Sequence, residues 1–199
     1  MKRAIVFLAD GTEECEALLV VDILRRAKIE VTTASIMGRK DIHSSHGVCV
    51  QADALAENVD FDGADLLVLP GGLPGTTHLS DSPLVKKQCL AFAKGKLLAA
   101  ICAAPSVLAS LGLLDGKPAT CHPAFEVKMG KAVLTHESVA VADNIITGQG
   151  LGAGIPFALA LVKTLVDEKT ANGIARAISF TGVWNGIETE QGKTGGGCP

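Results

Sequence analysis

The sequence predicts an α/β protein with a flavodoxin-like, Rossmann-like, mostly parallel sheet flanked by helices. Three observations predict it. Short strand-like runs recur at Ala4–Ala9, Asp65–Leu69 and Leu97–Ile101, each with the length of a buried strand. Segments with helical spacing of apolar residues lie between them, and strands alternating with helices give a parallel sheet covered on both faces. The stretch Lys96–Leu111, KLLAAICAAPSVLASL, carries a strand directly into a helix at a single cysteine, Cys102.

Ala4–Ala9 reads as the first strand. Glu13–Lys28 follows as a helix with Thr12 as its N-cap. Glu13 and Glu14 occupy its first turn, on a solvated face against the positive end of the helix dipole. Ala17, Val20, Val21 and Leu24 form its apolar face. Glu30–Ile36 is a second strand and His43–Asp53 a peripheral hairpin arm. Asp65–Leu69 is a third strand, ended by Pro70-Gly71-Gly72. Ser82–Lys94 is a helix capped by Ser82, with Pro83 at its first position, where a missing N–H costs little. The strand Leu97–Ile101 stops at Cys102. The next helix has Pro105 in its first turn, Val107, Leu108 and Leu111 on its apolar face, and Gly112 as its stop. Lys117–Cys121, Ala132–Leu134 and Val139–Ala142 are short strand-like pieces. Asn144–Thr147 is a strand leading through GQGLGAG into a helix at Ile155–Val166, and Glu168–Ile178 is the last helix. Residues 1–188 read as a single domain. Residues 189–199, TEQGKTGGGCP, read as a flexible glycine-rich tail, which leaves Cys198 outside the chemistry.

Composition narrows the function classes. The chain has 199 residues and is 48% apolar, enough for one sizeable core. A net charge of −3 gives no electrostatic basis for binding nucleic acid or an anionic membrane. The 6 cysteines show no CxxC and no regular framework. The opening MKRAIVFLADG has too short an apolar run for a secretory core, so the expected setting is cytoplasmic, with reduced thiols. Leu151–Val166 is too short and too interrupted, by Gly152, Gly154 and Lys163, to span a membrane.

Cys102 carries the strongest chemical signal. A cysteine on a sharp strand-to-helix turn, at the carboxyl edge of a sheet, has the placement of a nucleophile elbow. Unpaired N–H groups at a helix N-terminus favour thiolate, so the expectation is a thiol that titrates below a free one. The bland alternative is a buried apolar cysteine. Gly71 and Gly72 let backbone N–H groups approach a ligand oxygen, so both are candidate oxyanion donors beside the Ala103 N–H. A plain turn is their alternative. Glu16 falls within a turn of Ala17 and Val20 and so points inward. A buried carboxyl beside a sulfur resists ionising and can donate a hydrogen bond to it. His122, after a short strand, is the best-placed histidine to partner Cys102, with a satisfied structural role as its alternative. His43, His46 and Cys49 have metal-ligand composition. Their odd spacings place neighbours on opposite faces of a strand, so no metal site is expected. Gly148, Gly150, Gly152 and Gly154 do not meet the GxGxxG spacing, so no cofactor is expected.

Together these pieces resemble the ThiJ/PfpI superfamily, in its DJ-one (Parkinsonism-associated deglycase) branch. The resemblance runs from about Lys2 to Ile178. It rests on ADGTEECE at 9–16, VDILRRA at 21–27, VLPGG at 68–72, AAICAAP at 99–105 and CHP at 121–123. It implies a flavodoxin-like fold, a homodimer and a reactive elbow cysteine, Cys102, that oxidises to sulfinate. By motif position it places the family's pocket glutamate at Glu16, its glycine pair at Gly71 and Gly72, and its nearby histidine at His122. It implies a glutathione-independent glyoxalase or deglycase acting on a small aldehyde such as methylglyoxal, or on its adducts. A redox-sensing chaperone without turnover is the alternative. An amidase or peptidase is disfavoured, because Ala103 stands where the protease-like branch has a histidine. His46 and Gln149 stand where the DJ-one pattern has arginines near the pocket entrance. Cys15, beside the pocket glutamate, falls where the dimer interface is implied.

Overall fold

The computed structural model describes residues 1–182. The expected tail at 189–199 therefore lies outside the described residues. The described residues order eleven strands, β1 (Arg3–Leu8), β2 (Glu30–Ser35), β3 (Asp41–His43), β4 (Cys49–Gln51), β5 (Ala54–Leu55), β6 (Leu66–Leu69), β7 (Leu97–Ile101), β8 (Pro118–Ala119), β9 (Val133–Leu134), β10 (Val139–Ala142) and β11 (Ile145–Gly148). Their helices are α1 (Glu14–Arg26), α2 (Gly75–Asp81), α3 (Pro83–Phe92), α4 (Pro105–Ser110), α5 (Gly154–Leu165) and α6 (Glu168–Ala177).

Strand periodicity builds two cores from one sheet. Ala4, Val6, Leu66, Val68, Ala99 and Ile101 face α1, α5 and α6. Their neighbours Ile5, Phe7, Leu67, Leu69, Leu98 and Ala100 face the opposite layer with Val85, Phe92 and Leu108. Both faces are covered, so the central strands read as continuous apolar runs rather than alternating ones. Each fully buried aliphatic or aromatic side chain contributes about 1.5–3 kcal/mol.

The 7-stranded sheet has the order β10-β11-β7-β6-β1-β2-β5. All its pairs are parallel except β10 with β11. The chain leaves β1 toward β2 on one side and returns to β6 on the other. That reversal opens a crevice beyond the carboxyl ends of β1 and β6, where α/β sheets bind ligands.

The structure corrects several local expectations. Thr12 does not cap α1. Its Oγ1 accepts from the Ala9 N–H at 3.0 Å, inside the turn. Glu13 is the cap, its Oε2 accepting from the Glu16 N–H at 2.6 Å. The Glu13 carboxylate takes a first-turn N–H and also answers the helix dipole. Ser82 caps α3 as expected, accepting from the Val85 N–H. The hairpin spans Asp41–Gln51, and Ile42 and Ala52 cluster with Leu8 of β1 and Ala17 of α1. Helix α2 has no counterpart in the sequence reading.

The β1 and β6 loops interlock so closely that glycine is required at their crossing. A Cβ on Gly72, whose φ is 92°, would lie 2.2 Å from the Glu13 nitrogen and 2.4 Å from the Gly11 oxygen. Gly72→Ala is therefore expected to cost at least ~2 kcal/mol, from left-handed backbone strain and a backbone collision. Gly173→Ala, with open space around its Cβ on α6, is expected to stabilise by about 0.5–1 kcal/mol. Urea unfolding midpoints check both, and an unchanged midpoint in Gly72→Ala would contradict the interlock.

Candidate active site

Three chain segments leave the carboxyl edge of the sheet side by side, and backbone hydrogen bonds tie them together. The Glu13 N–H donates to the Gly71 oxygen at 2.9 Å, joining the turn after β1 to the turn after β6. The Cys102 N–H donates to the Gly148 oxygen at 2.9 Å, and the His122 N–H donates to the Cys102 oxygen at 2.8 Å. These bonds hold Cys102 at a φ of 65°, a conformation that L residues other than Asn and Asp rarely adopt. Such strain costs of order 1–3 kcal/mol and persists because the surrounding bonds over-determine it. The elbow expected from the sequence is present in this form.

Glu16 rises from the first turn of α1 and is 1% exposed. Its Oε2 accepts from the Gly71 N–H at 3.0 Å, and its carboxyl shares a hydrogen bond with the Cys102 thiol. Gly71 can only be glycine here. An added Cβ would lie 2.6 Å from the Glu16 Oε2, 2.6 Å from the Cys102 Cβ and 3.1 Å from its Sγ. The missing side chain is what lets carboxyl and sulfur meet. The Gly71 amide is thereby committed to Glu16 and does not stand free as an oxyanion donor. The N–H groups of Ala103 and Gly72 face the sulfur instead.

The electrostatics reverse one expectation. Burial, reinforced by the charge of Glu13, pushes the Glu16 carboxyl up to about 7 against the bonds from Cys102 and Gly71. Burial first, then the Glu16 charge, pushes the Cys102 thiol up to about 12, and the Ala103 and Gly72 amides offset only part of this. The thiol is thus raised beside an ionised Glu16, not lowered by the helix end. Helix α4 begins only at Pro105, so its dipole acts on the sulfur from a distance. The two groups titrate as a pair that keeps one proton between those two values. When that proton resides on Glu16, the repulsion disappears and the carboxyl O–H donates to the sulfur. Thiolate is reached by moving a proton from sulfur to Glu16 rather than to water.

His122 reaches Cys102 through its backbone. Its ring is exposed, and Nδ1 accepts from the Ala124 N–H at 3.3 Å at the start of the Pro123–Lys128 turn. The ring makes no hydrogen bond to the sulfur among the described residues. Glu13, expected on a solvated face, is 9% exposed and caps α1. His43 and Cys49 pair across the hairpin, whereas His46 turns to α1, with Nδ1 3.2 Å from Glu14 and 3.8 Å from Glu13. Ligand atoms of Glu13, Glu14 and His46 lie within 4.8 Å of one another, the metal-ligand grouping present among the described residues. Cys89 and Cys121 are buried thiols, pushed by burial up to about 12 and about 11. Cys15 is exposed, and the Glu13 charge beside it raises its thiol.

The DJ-1/PfpI family model matches residues 2–164. The chain is 39% identical over 176 residues to the Danio rerio Parkinson disease protein 7 homolog, covering 85% of this chain and 93% of that one. It is 29% identical over 181 residues to the Caenorhabditis elegans glutathione-independent glyoxalase DJR-1.2, covering 89% of this chain and 96% of that one. It spans only 40% of the length of the Arabidopsis thaliana protein DJ-1 homolog B. The solved structure of oxidised Toxoplasma gondii DJ-1 superposes with a TM-score of 0.88 at 35% identity, covering 92% of this chain and 100% of that one.

The proton-sharing pair predicts a particular reactivity. Iodoacetamide labelling of Cys102 is expected to rise to a plateau as pH passes about 7. In Glu16→Gln that step should vanish, because an amide cannot take the thiol proton. Mass mapping separates Cys102 from the exposed Cys15 and Cys49. The same midpoint in both proteins would contradict the pair.

Proposed function

The chain belongs to the DJ-1/PfpI family, and on that premise we propose that it is a cysteine-dependent glyoxalase. Its substrates on this reading are 2-oxoaldehydes such as methylglyoxal, converted without glutathione to 2-hydroxy acids. The observation that carries the reading is the Cys102–Glu16 pair: a strained, half-buried sulfur beside a carboxyl that holds a proton near neutrality.

The steps follow from the positions of the protons. With the shared proton on Glu16, the Cys102 thiolate adds to the aldehyde carbon and forms a C–S bond. The developing oxyanion lies toward the Gly72 and Ala103 amides and takes the proton from Glu16, giving a hemithioacetal. The Glu16 carboxylate then removes the hydrogen on that carbon as a proton and returns it to the neighbouring carbon. As the hemithioacetal hydroxyl gives its proton to the neighbouring oxygen, the carbonyl carbon becomes the hydroxyl-bearing carbon and the aldehyde carbon becomes a thioester, an internal redox exchange that needs no outside oxidant. Water cleaves the thioester, releasing the 2-hydroxy acid and restoring the thiol. The His122 ring accepts from the backbone of its own turn, so no proton step is assigned to it. Ala103 beside the nucleophile offers no base, which argues against peptidase chemistry.

A second reading shares the same atoms. Peroxide oxidation of Cys102 to sulfinate would place one oxygen on the protonated Glu16 and the other on the Gly72 and Ala103 amides. In that reading the oxidised cysteine is a signal for a chaperone function rather than a damaged nucleophile. The proposal also includes a homodimer through α1. Leu18 and Leu151, 41% and 49% exposed, support it from neighbouring elements, α1 and the turn before α5.

Lactate production from methylglyoxal tests the enzyme reading. Cys102→Ser should abolish it, and Glu16→Gln should lower kcat at least ~100-fold, since an amide keeps the hydrogen bonds but moves no proton. His122→Ala should lose less than about tenfold. If wild type forms no more lactate than Cys102→Ser, with buffer amines controlled, the redox reading replaces the enzyme.

A further inference from the structure

A concavity of about 340 Å³ lies between α2, α4 and the Pro123–Lys128 turn. Each of its three walls follows closely in the chain on a residue that bonds or faces Cys102. Leu73 follows Gly72, whose N–H faces the Cys102 sulfur. The Ser106 hydroxyl donates to the Ala103 oxygen at 2.7 Å, one turn from the elbow. The Phe125 N–H donates to the His122 oxygen at 2.8 Å, and the His122 N–H donates to the Cys102 oxygen at 2.8 Å.

Hydroxyl groups dominate the lining: Thr76, Thr77, Ser80, Ser106 and Ser110. Ser106 and Ser110 spend their protons on the helix, on the Ala103 and Val107 oxygens at 2.7 Å each, and so present lone pairs. Asp81 adds a further acceptor and Lys128 a donor. Thr76 is 4% exposed and its hydroxyl has no hydrogen-bond partner. A buried unpaired hydroxyl at the wall of a polar groove is unfavourable until something pairs it.

We propose that this groove holds the polyhydroxyl chain of sugar-derived 2-oxoaldehydes, whose aldehyde end reaches Cys102. The inference rests on the glyoxalase reading and names a substrate class for it. Successive ligand hydroxyls donate to Ser106, Ser110 and Asp81 and accept from Lys128, while one pairs with Thr76. A charged anion would meet Asp81, and a purely apolar chain would leave these groups unpaired. The covalent steps and their balance are those already given, with one water consumed and no oxidant.

Inert product-type acids test the groove without turnover. Gluconate carries a polyol chain on a 2-hydroxy acid, and lactate carries none. Calorimetry on wild type is expected to show gluconate binding at least about tenfold tighter than lactate, with a lost hydrogen bond worth about fivefold. The advantage should shrink at least about threefold in Thr76→Val and in Ser110→Ala, the latter at an exposed position that tolerates substitution. Equal affinities in wild type, or an advantage intact in both variants, would overturn the inference. Methylglyoxal turnover reports separately on the chemistry, so failure of the groove and failure of the glyoxalase reading are distinguished.

Discussion

A carboxyl buried to 1% exposure and set against a thiol is the interaction on which the rest of the site depends. Burial makes either negative charge expensive, so the pair keeps one proton and chooses where to put it. Glu16 receives one bond from Gly71, and the sulfur faces the Gly72 and Ala103 amides. Donors to both partners offset part of that cost for either placement of the proton. That balance is what a nucleophile needs if its acid is to be its immediate neighbour.

The balance demands close approach, and the backbone supplies it where side chains are absent. Gly71 permits the carboxyl and sulfur to meet, Gly72 permits the β1 and β6 turns to cross, and Gly75 lets α2 start against the Thr12 nitrogen. Cys102 is held in a left-handed conformation by the bonds to Gly148 and from His122. The two cores beneath the sheet supply the rigidity that holds the strain, since a close-packed interior relaxes little. The groove of hydroxyls opens from the same turns, so a substrate's reactive end and its tail would be positioned by one framework.

The sheet was legible because long apolar runs with glycine or proline ends admit few alternatives. The elbow was legible because a strand ran into a helix with no spacer at Cys102. Helix α2 was not, since GTTHLSD offers a single apolar side chain, Leu79, and its packing comes from α3, α4 and the turn after β1. Thr12 was a reasonable cap by residue type, but Glu13 reached the Glu16 N–H and left Thr12 to close its own turn. Glu16 is buried, as its neighbours Ala17 and Val20 imply. The direction of the Cys102 shift was not legible, because helix-end reasoning counts donors and cannot count burial. The side chain of His122 also escaped the sequence, which shows adjacency and not orientation.

Carbon-13 NMR of the labelled Glu16 carboxyl measures the shared proton most directly. The account predicts a midpoint near about 7, moving toward the ordinary 4.5 only if burial is relieved. It also predicts that Cys102→Ser changes that midpoint, because the sulfur is a partner in the titration. A wild-type Glu16 that titrates near 4.5, or one indifferent to Cys102→Ser, would contradict the account.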